Sequence, residues 1–200
     1  MASGKIRYAF LIDLRKCLGC QACEVACKME NDVPLGVWRS WVKKVEKGSY
    51  PHTRQKFLPL LCNNCEDPIC VTVCPVGANR KRADGIVTFD PHRCVGCRYC
   101  MAACPYQVRY LHPLKKIVEK CNWCHHRVDA GLEPACVVSC PTGARVFGDM
   151  NDPDSKISRL IAQNDVAVIH PEMGTDPRVY YIDLDEQVLE TKREFKWKWR

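Results

Sequence analysis

The sequence predicts an α+β fold in which short strands and short helices are separated by long loops. Three observations point there. The 16 cysteines fall into four tetrads with none left over, so the chain must curl back on itself repeatedly. The longest apolar runs, Ala9–Ile12 and Val166–Ile169, are strand-sized and are bounded by Asp13 and His170. The chain also repeats itself internally, which predicts two copies of one small unit.

Taken in order, residues 8–12 and 86–89 read as short strands leading into cysteine loops. Between Cys27 and Cys62, Trp38, Trp41 and Tyr50 are expected to pack over an otherwise small core. Residues 97–104 suit a helical turn that stops at Pro105. Residues 155–163 carry a helical pattern, with Asp154 or Ser155 as cap. Residues 179–184 alternate like a strand.

The tetrads are Cys17, Cys20, Cys23, Cys27; Cys62, Cys65, Cys70, Cys74; Cys94, Cys97, Cys100, Cys104; and Cys121, Cys124, Cys136, Cys140. The stretch from Ile12 to Cys27 aligns with that from Phe89 to Cys104. Cys62–Asn63–Asn64–Cys65 matches Cys121–Asn122–Trp123–Cys124, and Cys74–Pro75–Val76–Gly77–Ala78 matches Cys140–Pro141–Thr142–Gly143–Ala144. The order is A-B-A-B.

The spacing selects iron–sulfur clusters. A cubane needs four converging thiolates. C-x2-C-x2-C supplies three from one loop, and in two-cluster ferredoxins the fourth cysteine, three residues on and followed by proline, ligates the other cluster. Cys94 to Cys104–Pro105 fits at every position, and Cys17 to Cys27 fits except that Lys28 replaces the proline. The other two tetrads are variants that end in Cys-Pro. Structural zinc takes two C-x2-C pairs and leaves the third and fourth spacings unexplained. Cysteines packed at x2 intervals make poor disulfide partners. The reading is therefore two ferredoxin-like two-cluster domains holding four [4Fe–4S] clusters. Cys121–Asn122–Trp123–Cys124–His125 is also a literal haem-attachment motif, but that use would strand Cys136 and Cys140.

Composition narrows the function. The formal charge is +7, whereas four oxidised clusters with their thiolates add about −8. The basic surplus thus has an internal use, and Lys16, Lys28, Arg93, Arg98, Arg127 and Arg145 all lie near cysteines in sequence. The scattered cations and the lack of a stacking motif argue against nucleic acid. His125, His126 and Arg127 read as cationic neighbours of a cluster, and the other histidines show no ligand spacing. No apolar run reaches the ~18–20 residues of a membrane span, and the N-terminus offers too short an apolar stretch for a signal peptide. Asp13 and Asp90 hold equivalent places before cluster loops, where a side-chain bond to loop N–H groups is expected. With no catalytic constellation in sight, the chain reads as an electron carrier rather than an enzyme by itself.

Spacing leaves the pairing of tetrads open. The short stretch from Cys74 to Cys94 suits a unit made of tetrads two and three, with one and four around it; one with two and three with four fits as well.

The chain resembles the four-cluster iron–sulfur subunit of membrane-bound molybdopterin oxidoreductases, in its polysulfide and thiosulfate reductase-like branch. Ile12–Asp13, Cys27–Lys28–Met29–Glu30–Asn31, Val33–Pro34, the stretch from Tyr106 to Pro113, Pro134–Ala135–Cys136 and Pro171 to Thr175 carry the likeness, which covers about residues 6–184. The resemblance implies the nested pairing: Cys17, Cys20, Cys23 and Cys140 for the first cluster; Cys121, Cys124, Cys136 and Cys27 for the second; Cys62, Cys65, Cys70 and Cys104 for the third; Cys94, Cys97, Cys100 and Cys74 for the fourth. It implies one domain from residues 1–55 plus 113–150, an inserted domain at 56–112, and a C-terminal extension at 151–200 that packs on the domains or a partner. It further implies that the first cluster faces a molybdopterin catalytic subunit and that the fourth faces a quinone-binding integral membrane subunit. Attachment to the membrane would come through these partners, on the periplasmic face by co-export with a signal-bearing partner, or on the cytoplasmic face. The alternative is the iron–sulfur subunit of a formate dehydrogenase or hydrogenase running the other way. The alternating Lys and Trp residues of 192–200 are expected to lie against a partner or lipid surface.

Overall fold

The structure, a computed structural model, describes residues 6–185. β1 (Tyr8–Asp13) leads into the first cysteine loop, and α1 (Ala22–Glu30) carries Cys23 and Cys27. A long hairpin follows, β2 (Ser40–Ser49) and β3 (His52–Leu61), ending at the second tetrad and α2 (Ile69–Thr72). β4 (Asn79–Lys81) and β5 (Val87–Phe89) form a short hairpin before the third tetrad and α3 (Tyr99–Ala102). β6 (Arg109–Leu111) and β7 (Val118–Lys120) do the same before the fourth, which holds α4 (His125–Asp129) and α5 (Ala135–Val138). β8 (Arg145–Asp149), α6 (Lys156–Gln163), β9 (Val166–Ala167), a 3₁₀ turn at Pro171–Met173 and β10 (Val179–Ile182) complete the described residues.

The one sheet of four strands among the described residues runs β8-β1-β10-β9, with β1 antiparallel to β8 and parallel to β10. A strand covered on both faces reads as a continuous apolar run rather than an alternating one, and Ala9, Phe10, Leu11 and Ile12 are all buried. On one face Phe10 packs against Trp123 and Phe147 at ring separations of 5.3 and 5.1 Å. On the other, Ala9 and Leu11 meet Val146, Ile182 and Ile157 of α6. Ser155 caps α6 by accepting from the Ser158 N–H at 3.2 Å.

The sequence repeat is a structural repeat. Ile12 pairs with Arg145 across β1 and β8, and Phe89 pairs with Asn79 at the matching place across β5 and β4. The Asp13 N–H donates to the Ala144 carbonyl at 2.8 Å, and the Asp90 N–H donates to the Ala78 carbonyl at 2.8 Å. Both aspartates then accept from a loop N–H two residues on, Asp13 from Arg15 at 3.1 Å and Asp90 from His92 at 2.9 Å. The first strand pair sets tetrads one and four side by side, and the second does the same for tetrads two and three. Accordingly α1 packs on α5, and α2 on α3.

Two expectations need revision, and a third cannot be compared. The β2–β3 hairpin runs well past the core, so Tyr50 at its tip is 94% exposed with nothing to pack on; of the three aromatics, only Trp41 packs against the core, while Trp38 is half exposed beneath the Lys28 ammonium. The segment after residue 150 does more than pack on the domains, because β10 lies in the sheet between β1 and β9. The Lys- and Trp-rich stretch at 192–200 lies outside the described residues.

A buried ion pair joins the two repeats. Arg39, just before β2, donates to Glu119 of β7 at 2.8 Å, and both side chains are under 9% exposed. Tyr110 donates to the same carboxylate at 2.7 Å, and Arg39 also donates to Asn31 at the end of α1 at 2.8 Å. Burial opposes the Glu119 charge, but the Arg39 and Tyr110 bonds outweigh it and hold this carboxyl below its usual range. Glu119→Ala leaves the Arg39 charge buried and unpaired, so we expect a loss of about 3–5 kcal/mol. Anaerobic denaturant titration, followed by visible absorbance, should show a lower midpoint. The double variant Arg39→Met with Glu119→Leu should recover most of it.

Candidate metal centres

Each site starts with a tight loop. In the C-x-G-C segments, Gly19 and Gly96 have φ of +66° and +68°, followed by Gln21 and Arg98 in the left-handed region at +63° and +65°. The turn lets successive cysteines point inward. The loops also lie close under the hairpins. A Cβ on Gly19 would sit 2.3 Å from the Phe57 ring, and one on Gly96 would sit 2.4 Å from the Lys116 carbonyl oxygen.

The cysteines gather in four groups. Cys17, Cys20, Cys23 and Cys140 line one small cavity. Cys62, Cys65, Cys70 and Cys104 line a second. Cys74, Cys94, Cys97 and Cys100 line a third. Cys27, Cys121, Cys124 and Cys136 are buried together, close enough that each thiolate would disfavour the next. Asn31 Nδ2 donates to Cys27 Sγ at 3.9 Å and Cys124 Sγ at 3.6 Å, spanning that last group. Every group takes three cysteines from one tetrad and one from another.

The Cys-Pro-x-Gly-Ala motif builds an anion nest. The Ala78 N–H donates to Cys74 Sγ at 3.2 Å. Burial works against the Cys74 thiolate, but backbone N–H groups of Asn79, Ala78, Val76 and Gly77 together bring its pKa below the usual cysteine value. The Cys140 thiol is lowered in the same way by the Arg145, Ala144 and Thr142 backbone and the Thr142 hydroxyl, against burial. Elsewhere burial dominates. It pushes the Cys27 thiol up to about 12, helped by Cys136 and Cys124, and Cys65 up to about 12, helped by Cys62. Such thiols stay protonated at neutral pH until a metal takes the place of the proton.

Two buried cations stand among these sulfurs. Arg145 is 2% exposed, lies beside Cys136 and Cys23, and donates from Nη2 to Ser40 Oγ at 3.0 Å. Arg109 is 7% exposed, lies beside Cys70, Cys62, Cys100 and Cys104, and donates from Nη1 to Asn79 Oδ1 at 3.0 Å. Each therefore stands between two cysteine groups. The repeat pairs Arg145 with Asn79 and Ser40 with Arg109, so the same bond is made with its ends exchanged. Of Lys16, Lys28, Arg93, Arg98, Arg127 and Arg145, the cations singled out near cysteines, Arg145 fits this description. Lys16 pairs with Asp13, Arg93 with Asp90, and His126 and Arg127 with Glu30. Burial, and then the Arg82 charge, disfavour the charged form of His125. Sequence reasoning does not single out Arg109, whose one signal is its place in the repeat.

The donor set fits iron–sulfur clusters. The other terminal nitrogens, Arg145 Nη1 and Arg109 Nη2, are buried without a protein partner among the cysteines. Such donors suit an anionic group with acceptor atoms of its own. Among the described residues, no three His, Cys, Asp or Glu side chains close on a single point as a lone ion requires; the sulfurs surround cavities instead. A roomier cleft of about 620 Å³ contains no cysteine, and Arg7, Lys81 and Arg178 there converge on Glu66.

A family model described as a 4Fe-4S dicluster domain matches residues 53–150. The B subunit of the tetrathionate reductase of Salmonella typhimurium is 47% identical over 188 residues, which cover 92% of this chain and 75% of the relative. This protein belongs to the iron–sulfur subunits of molybdoenzyme-type reductases. The B component of the polysulfide reductase of Wolinella succinogenes is 43% identical, covering 88% of this chain and 94% of the relative. A putative dimethyl sulfoxide reductase iron-sulfur subunit of Halobacterium salinarum is 42% identical, covering 88% and 79%. The iron–sulfur subunit thus transfers electrons through [4Fe–4S] clusters within a multi-subunit reductase and is not itself the catalytic part. Anaerobically purified protein should contain about 16 irons and as many acid-labile sulfides, with absorption that bleaches with dithionite. Stoichiometric zinc, or a haem-stained band at this chain's mass, would contradict the assignment.

Proposed function

We propose that the subunit relays electrons along four clusters between a quinone-binding membrane subunit and a molybdopterin catalytic subunit. The observation that carries this is the graded exposure of the cysteine groups. Cys20 and Cys97 are exposed, and they belong to different groups; all four cysteines of the Cys27 group are buried. A buried group between two surface-reaching ones suits a wire with two terminals. At each terminal the equivalent residues Leu18 and Val95 are both 66% exposed, apolar caps of the kind that dock partners.

In this reading the ligand sets are those of the four groups. Cys17, Cys20, Cys23 and Cys140 hold the first cluster, and Cys27, Cys121, Cys124 and Cys136 hold the second. Cys62, Cys65, Cys70 and Cys104 hold the third, and Cys74, Cys94, Cys97 and Cys100 hold the fourth. When bound, such clusters supply reversible one-electron chemistry. Arg145 offsets charge between the first and second sites, and Arg109 does so between the third and fourth. Trp123 spans the middle: its backbone N–H donates to Cys121 Sγ at 3.4 Å, and its indole donates to the Cys62 carbonyl at 3.0 Å. The two-domain reading has the Cys17 and Cys27 groups in one ferredoxin-like unit and the Cys62 and Cys74 groups in the other. The first cluster faces the catalytic subunit and the fourth faces the membrane subunit. Among the described residues no helix is long and apolar enough to cross a membrane. In this reading attachment runs through the partners, on the periplasmic face if a signal-bearing partner carries the folded subunit out.

Cys27→Ser should disturb the cluster of the fourth tetrad, read from paramagnetic spectra of the individual clusters. Disturbance of a cluster built on Cys62 would instead favour sequential pairing. Cys97→Ser should impair quinol-driven reduction, whereas a dye that donates directly to the catalytic subunit should still support turnover. If both activities fall equally while the catalytic partner stays bound, Cys97 is not at the quinone end.

A further inference from the structure

The repeat allows the two outer sites to be compared position by position. β3 ends at Leu61, next to Cys62, and β7 at Lys120, next to Cys121; aligning them sets Phe57 against Lys116 and Pro59 against Val118. The structure bears out this register. Phe57 lies over Gly19 just as the Lys116 carbonyl lies over Gly96. Pro59 lines the cavity of Cys17, Cys20, Cys23 and Cys140, and Val118 lines that of Cys74, Cys94, Cys97 and Cys100.

A backbone contact differs. The Val118 N–H donates to Cys94 Sγ at 3.5 Å. Proline has no N–H to give. The β2–β3 register runs unbroken through Val42 and Pro59, and a strand tolerates proline where the ladder needs no donor. That is the direction in which Val118 offers its N–H to sulfur. A hydroxyl contact differs too, since Thr142 Oγ1 lies 3.7 Å from Cys140 Sγ where the repeat places Val76 at the other site. Beyond these, each site has a nest-held cysteine, Cys140 or Cys74, each has one buried arginine nearby, and Leu18 and Val95 cap them at equal exposure.

An N–H bonded to a cysteine sulfur withdraws charge from it and favours the more negative, reduced cluster. We infer that Pro59 is a potential-setting residue, which withholds an N–H···S bond from Cys17 and keeps the first cluster more reducing than a backbone donor there would. The inference rests on the ligand grouping proposed above.

The test uses the full chain, purified anaerobically with its iron, as wild type, Pro59→Ala and Pro59→Val. Two side chains are used because one size can disturb the cavity. Dithionite titration followed by electron paramagnetic resonance reads each cluster's potential, and Cys20→Ser identifies the first cluster's signal. In both Pro59 variants that signal should move to more positive potential, by up to about tenfold in the oxidised-to-reduced ratio at fixed poise, about 59 mV for one electron. The other three should stay in place. After exchange into heavy water, pulsed spectra of the same signal should gain one exchangeable proton coupling. Val118→Pro should move the signal identified by Cys97→Ser to more negative potential. A new coupling without a shift would overturn the inference, as would four unmoved potentials without a new coupling. A shift confined to a signal that Cys20→Ser leaves intact would instead overturn the ligand grouping.

Discussion

Each cysteine group draws three thiols from one tetrad and a fourth from another, and the rest of the molecule follows from that convergence. A C-x2-C-x2-C loop can curl around only part of a cluster, so another loop must be brought against it. Strand pairs β1–β8 and β5–β4 do this, each joining the segment before one tetrad to the segment after another. The helices that carry cysteines, α1, α2, α3 and α5, are short, with at most two cysteines each. Secondary structure here serves chiefly to hold loops in register.

Charge is the second consequence. Seven of the cysteines are buried, and thiolates there need compensation, so the interior contains cations that an ordinary small core would exclude. Lys120 is fully buried, donating to the Cys121 carbonyl at 2.8 Å, to Asn64 Oδ1 at 3.3 Å and to the Val87 carbonyl. These partners are neutral, so the ammonium charge itself is left to balance the thiolates around it. Trp123 beside it is also fully buried. The indole donates to the Cys62 carbonyl and packs on Phe10 of the apolar sheet.

Much of this is legible in the sequence because cysteine spacing and glycine position are local. β1, β5, α3, α6 and β10 fall close to the stretches that suggest them, and the Asp13 and Asp90 turns follow from their place before the loops. The β2–β3 hairpin is not legible. Its strands carry Lys43, Lys44, Lys47, Arg54 and Lys56, and Pro51 and Pro59 interrupt the pattern, since its outer half projects from the core while only the base, with Val42, Val45, Leu58 and Leu61, is buried. Arg39, Arg109 and Lys120 escape notice for a different reason. Cations read as surface by default; the counter-charge of Arg39 is Glu119, 80 residues further on, and Arg109 stands among cysteines whose charge depends on a cofactor that the amino-acid letters do not spell.

The place of β10 bears on how the protein is made. The sheet has β1, the first strand synthesised among the described residues, paired in parallel with β10, which lies at their far end. Cys17 likewise waits for Cys140, and Cys27 for Cys121, whereas Cys62 to Cys104 emerge close together. On the ribosome, the inner stretch has all the thiols of its two cavities long before the outer stretch does. Nascent Cys17, Cys20 and Cys23 must therefore be kept reduced and unclaimed through most of translation, which makes the amino-terminal loop the part of the newborn polypeptide most open to stray metals and oxidants.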